Sequence, residues 1–223
     1  MFFAPFVMLT TVLLLGALFL WLIFVWIGVI SNVFQAVGLP PSIAFLALLA
    51  SFLGSYINLP ITEVESGPAP ARAIARYAGV IYRIPARYAG SMTTIAINVG
   101  GAIVPTLISL YVLSRFPGSI VPSLAGVAIV TLVVNRFARP IPGLGIATPI
   151  FIPPIAAAIC GYLLGGPHAD AVAYVSGVLG TLIGADLLNM SKVKGLGAPV
   201  ASIGGAGTFD GIFLTGIVAV LLA

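Results

Sequence analysis

Long apolar runs separated by short polar turns set the pattern of this chain, and within the runs apolar and polar residues do not alternate. From Phe6 to Ile30 there is no charged residue, Leu, Val and Phe dominate, and Trp21 and Trp26 stand near one end. Such a run predicts a helix long enough to cross about 30 Å of hydrocarbon with some tilt. Six further stretches of the same character follow, at 42–61, 93–113, 122–134, 146–164, 172–190 and 200–223. The lack of a two-residue period excludes a membrane barrel. Backbone groups in hydrocarbon must be satisfied internally, so the spans are expected to be helices. The pattern predicts an all-α integral membrane protein, a bundle of about seven transmembrane helices forming one polytopic domain over residues 1–223.

Four of the runs carry helix breakers. Asn58-Leu59-Pro60 interrupts the second late in its course, Asn98-Val99-Gly100-Gly101 with Pro105 the third, and Pro149, Pro153 and Pro154 the fifth. Gly204 to Gly211 interrupts the seventh. Pro105 removes a backbone bond to the carbonyl four residues earlier, beside the two glycines, which predicts a kinked or discontinuous helix.

Composition agrees with the pattern. The chain is 61% hydrophobic and 6% charged, where a soluble domain carries about 25% charged residues. The apolar N-terminus has no basic n-region and no evident cleavage site, and reads as the first span rather than a signal peptide. The single Cys160 cannot form an intrachain disulfide. The formal charge of +4 reflects loops between spans, so the lipid bilayer, not nucleic acid, is the expected partner. With seven spans, the loops after the second, fourth and sixth hold four, two and two Lys or Arg, and the opposite side holds only Arg115. The positive-inside rule then places the N-terminus in the cytoplasm, the C-terminus outside, and the protein in the cell membrane as a multi-pass chain. The largest polar segment, the basic loop at 62–90, contains Glu63, Glu65, Arg72, Arg76, Arg83 and Arg87. Ala-Arg-Tyr-Ala-Gly occurs there at 75–79 and at 86–90, with another Arg four residues before each Arg of the repeat. Two readings stand side by side: an amphipathic pair on the headgroups with Tyr77, Tyr82 and Tyr88 at the interface, or a solvated loop.

Candidate chemistry rests on two acids inside apolar runs, Asp186 in Gly184-Ala185-Asp186-Leu187 and Asp210 in Gly204-Gly205-Ala206-Gly207-Thr208-Phe209-Asp210-Gly211. A charge at such depth costs on the order of 3 kcal/mol or more unless it is paired, hydrated or protonated. The two acids lie on consecutive, antiparallel spans, which allows them to meet in the cytoplasmic half of the membrane. Two carboxylates in contact share a proton and titrate as a pair. One then takes a proton from water while the other gives one to a carbonyl oxygen, as in aspartic proteases.

Gly207-Thr208-Phe209-Asp210, followed by Gly211-Ile212-Phe213, resembles the glycine-x-x-aspartate signature of intramembrane aspartyl proteases, a group that includes presenilins, signal peptide peptidases, prepilin peptidases and preflagellin peptidases. The hydrophobic Phe209 before the aspartate is similar to the preflagellin peptidase form. The resemblance implies that Asp210 is the second catalytic aspartate and Asp186 the first, with a transmembrane peptide as substrate. The segments Asn98 to Pro105, Gly184 to Leu187 and Gly204 to Gly211 resemble a prokaryotic membrane family, domain of unknown function family 1614, which implies no activity.

A carrier is the other functional reading. Discontinuous helices with Gly and Pro near mid-membrane build ion and solute sites from freed backbone groups. Asn58, Asn98 and Asn189, with Gly204, Gly205, Gly207 and Thr208, would complete a proton or cation site with the two aspartates, for a small solute. Purely structural roles are open as well. Asp186 is within reach of Lys192 or Lys194, and Asp210 fits the first turn of a half-helix with Thr208 as N-cap. His168 and Asp170 are too few for a metal site, and the sequence implies no cofactor.

Overall fold

The computed structural model describes residues 4–65, 73–77, 80–84, 92–141, 145–193, 197–205 and 211–223, with side chains described from Leu9 onward but not within 73–84. Seven α-helices are present among them: α1 (Ala4–Ala36), α2 (Pro41–Gly54), α3 (Val104–Arg115), α4 (Ile120–Phe137), α5 (Ile152–Leu164), α6 (Ala169–Thr181) and α7 (Gly211–Leu222). Three helical stretches are long and apolar enough to cross a membrane, Leu9–Ala36, Pro117–Phe137 and Gly166–Val193. The four other apolar helices are shorter; α2, with 14 residues, is about 21 Å long at 1.5 Å per residue.

The all-α expectation is corrected by a sheet. β1 (Asn58–Glu65), β4 (Met92–Asn98) and β7 (Val200–Ile203) form three strands in the order β1-β4-β7. β1 pairs antiparallel and β7 parallel with β4. The end of the second predicted span and the starts of the third and seventh are therefore strands, not helix. The local sequence explains why. Met92-Thr93-Thr94-Ile95-Ala96-Ile97-Asn98 is rich in β-branched residues, which favour extended backbone. Pro60 cannot donate to a ladder and sits where the β1–β4 register slips, on the sheet edge where proline is tolerated. Each strand continues a short helix: β1 follows α2, and β4 and β7 precede α3 and α7. An extended residue advances about 3.3 Å against 1.5 Å in a helix, so a helix-plus-strand segment gains the length that its helix lacks.

Two further hairpins are β2 (Ala73–Tyr77) with β3 (Val80–Ile84), and β5 (Arg139–Ile141) with β6 (Gly145–Ala147). The Arg spacing of the 62–90 segment is thus not helical at 73–77 and 80–84; Arg72, Arg87 and Tyr88 lie outside the described residues. The fifth predicted span is broken, with β6 over Gly145–Ala147 and no helix in it before Ile152, and the break falls ahead of Pro153 and Pro154. They occupy the first turn of α5, where a missing N–H costs nothing.

α6 is the centre of the molecule, with every residue from Ala171 to Val178 buried. It packs on α3, α4, α5 and α7. Small residues allow this: a Cβ on Gly161 would lie 2.7 Å from that of Ala173, and one on Gly180 would lie 2.7 Å from that of Val130. Around Tyr174 the core is aromatic, with Phe34 of α1 and Phe213 of α7 joining it. At one end of the helices the three turns gather. Phe116 and His168 have ring centroids 5.4 Å apart, and the Tyr111 hydroxyl donates to the Gly38 carbonyl at 3.3 Å. The strands lie at the other end.

Candidate functional site

Asp186 owes its position to a change of helical pitch. α6 passes at Thr181 into a π-turn, Leu182–Asp186, and then a 3₁₀ stretch, Leu187–Val193. Gly184 makes close contact with α4, since a Cβ there would lie 2.6 Å from the Thr131 carbonyl oxygen. The carbonyls that the pitch change releases are capped by side chains. Asn189 Nδ2 donates to the Gly184 and Ala185 oxygens, both at 2.9 Å, and Asn135 Nδ2 donates to Gly184 O at 3.2 Å. Lys192 Nζ in turn donates to Asn189 Oδ1 at 2.6 Å. Lys192 is therefore engaged with Asn189, and the Asp186 carboxylate turns instead to the end of β7, where Gly204 N–H donates to Oδ2 at 2.7 Å. Lys194 lies outside the described residues.

Gly204 reaches that position because it has no side chain. Its φ is +86°, a conformation costly to residues with a Cβ. A Cβ there would also lie 2.5 Å from Ala102 Cβ and 2.6 Å from Ala102 N, in a second π-turn, Val99–Ile103. The interruption expected between Asn98 and Pro105 is this turn, and Pro105 sits in the first turn of α3 that follows. The end of β7 thus runs between two π-turns, touching one with its Cα and the other's carboxylate with its N–H. Such turns recur at functional sites.

Asn58 and Asn98 form a separate knot. Asn98 is buried; its Nδ2 donates to Ser55 O at 2.7 Å and to Asn58 Oδ1 at 3.1 Å, and its Oδ1 accepts from Gly101 N at 2.7 Å. Ser202 Oγ donates to Asn58 Oδ1 at 2.5 Å. The knot ties all three strands of the sheet to the π-turn Val99–Ile103. Neither asparagine, nor Asn189, is among the residues lining the cavity that Asp186 faces.

That cavity has a volume of about 650 Å³. Its wall is apolar, built from Trp26 and Ile30 of α1, the segment before and into α5, and one side of α7, together with β7. Asp186 is the single ionisable side chain among its described lining residues, joined by the hydroxyl-bearing residues Thr148, Thr181, Ser202 and Thr215. Gly205 and Gly211 both line it. Gly207, Thr208 and Asp210 lie in 206–210, outside the described residues, and with them the N-cap expectation for Thr208. Thr181 and Ser202 went unremarked in the sequence, and Trp26 stood out only by its place near one end of the first run. For Thr181 a signal existed: it stands five residues before Asp186, across a glycine-containing turn.

Apolar helices of spanning length, a sheet at their end and one carboxylate in an apolar cavity define a helical membrane protein with interrupted helices. The chain belongs to the family described as Protein of unknown function (DUF1614), which it matches over residues 52–222. The match takes in the sheet, both π-turns, Asp186 and the sequence through Asp210, and begins within α2. No curated protein and no solved structure gives a significant match.

Proposed function

We propose that this protein is a multi-pass protein of the cell membrane that hydrolyses a peptide bond within the bilayer, with Asp186 and Asp210 as its acid–base pair. The observation that carries this reading is the cavity of about 650 Å³, which Asp186 lines together with Gly205 and Gly211, the residues on either side of the segment that bears Asp210. In the reaction one carboxylate takes a proton from water as the water oxygen bonds to the carbonyl carbon. The other, protonated, gives its proton to the carbonyl oxygen. Collapse of the tetrahedral intermediate then breaks the C–N bond: one hydroxyl returns its proton to the second aspartate as the C=O bond re-forms, and the leaving nitrogen takes the proton held by the first aspartate.

Two features favour a peptide over a small solute. The wall is mostly Ile, Val, Leu, Phe and Pro, suited to a membrane-spanning segment. All four residues of β7 line the cavity, and among the described residues β7 has β4 on one side and no strand on the other. An edge strand offers unpaired N–H and C=O groups, to which an extended peptide adds as a further strand. The test is reconstitution into liposomes with a panel of single-span peptides and mass spectrometry of the products. Hydrolysis within the span is the expected result. A carrier is the second reading, supported by the two π-turns. Ion-dependent solute uptake with no peptide cleavage would assign that function instead.

The proposed orientation puts the turn cluster of Phe116 and His168 outside and the strand end in the cytoplasm. Eight of nine Lys and Arg then fall inside, Arg115 being the ninth. Tags at residue 1 and within 62–90 are expected to report cytoplasm, and a tag at Ala223 the outside. A cytoplasmic C-terminus would overturn both the seven-span count and this placement of the two aspartates.

A further inference from the structure

We propose that Thr181 is the substrate-binding hydroxyl of the Asp186 cavity, donating a hydrogen bond to a backbone carbonyl of the bound peptide; this rests on the peptide reading of that site. In a regular α-helix, residues five apart point in different directions. Thr181 immediately precedes the π-turn that ends at Asp186, and π-turn bonding joins residues five apart. The two residues are thereby brought to one wall and line the same cavity.

Hydroxyls in apolar helices ordinarily bond the carbonyl one turn back. Ser109, Ser176 and Thr215 all do so here, donating to Pro105 O at 2.9 Å, Val172 O at 2.6 Å and Gly211 O at 2.6 Å. Thr181 does not. It is 3% exposed, and its Oγ1, buried beneath the cavity surface, has no hydrogen-bond partner among the described residues. An unpartnered buried hydroxyl is costly to keep. Ser123 and Tyr174 are unpartnered as well, but neither lines the cavity, whereas Thr181 does. Threonine in a helix divides between two χ1 rotamers, so the hydroxyl is able to turn to a ligand without moving the backbone. The group it would meet must accept a hydrogen bond and sit in an otherwise apolar ligand. The amide carbonyl of a membrane-spanning peptide has that chemistry.

The test measures Kd for a set of single-span peptides in which one central amide at a time is replaced by a CH=CH isostere, using the full chain in proteoliposomes. For the wild-type protein, one replacement is expected to weaken binding about tenfold. Thr181→Val should weaken the all-amide peptide to the same degree and abolish the difference between it and that isostere. Thr181→Ser should restore the difference. Unchanged affinity in Thr181→Val, or equal weakening of every peptide including the isosteres, would overturn the proposal. Binding with this pattern but no hydrolysis by the wild type would sink the hydrolase reading and leave Thr181 standing. Hydrolysis untouched by Thr181→Val would do the reverse, and a wild-type protein that binds none of the peptides would remove both.

Discussion

Asp186→Asn is expected to reduce peptide cleavage by about 10³-fold while leaving the folded protein in place. The amide is close in size to the carboxylate, and its Oδ1 remains able to accept the Gly204 N–H now held at 2.7 Å. It has no proton to trade, so it neither accepts one from water nor donates one to a carbonyl oxygen. Asp186→Ala separates the two roles of the residue. It loses the same chemistry and also strands the Gly204 N–H, which costs about 1–3 kcal/mol of stability. The expected pattern is activity lost in both variants, with thermal midpoint in detergent lowered only in the alanine variant. Asp210→Asn should match Asp186→Asn in activity, because an acid–base pair fails when either member is removed. Cleavage that survives Asp186→Asn would take this residue out of the chemistry and leave it a structural acceptor for β7.

Gly204→Ala is expected to destabilise the protein by about 2–5 kcal/mol, from about 1–2 kcal/mol for a Cβ at positive φ and about 1–3 kcal/mol for forcing a methyl into a packed site. The φ of +86° and the 2.5 Å approach to Ala102 Cβ both oppose a side chain at this position. The neighbouring atom in that contact belongs to a π-turn whose backbone Asn98 fixes through Gly101 N, so it has little freedom to yield. Any shift of Gly204 also withdraws the donor from Asp186. Activity is therefore expected to fall along with stability. Gly28→Ala is the control, since nothing lies within 4 Å of its Cβ position in α1 and its φ is helical. It should be neutral or slightly stabilising. A Gly204→Ala protein as stable and active as Gly28→Ala would show that β7 does not depend on its passage between the π-turns.

Apolar runs located the seven helices because a helix in lipid needs little beyond an unbroken apolar stretch. The same rule read through Asn58–Ile61, Thr93–Asn98 and Val200–Ile203, which are as apolar as their flanks yet are extended in the structure. Strand and buried helix cannot be told apart by periodicity in so short a run. The choice was made by pairing partners 27 to 40 residues away in β1 and β4, and more than 100 in β4 and β7.

What the sequence determined by itself is local: the membrane class, from charge content; the helix positions, from apolar runs; the interruptions, from Gly and Pro; and Asp186 as an acid in an apolar setting. Each depends on a residue and its near neighbours. What only the tertiary structure decided is relational. That Asp186 answers to Gly204 and not to Lys192, that Asn58, Asn98 and Ser202 bind one another away from the cavity, and that Thr181 and Asp186 line one cavity are all consequences of packing. A side chain's partner is selected by which backbones come within about 3 Å of it in space, and that distance is fixed by glycine contacts such as those of Gly184 and Gly204 with residues far off in the chain.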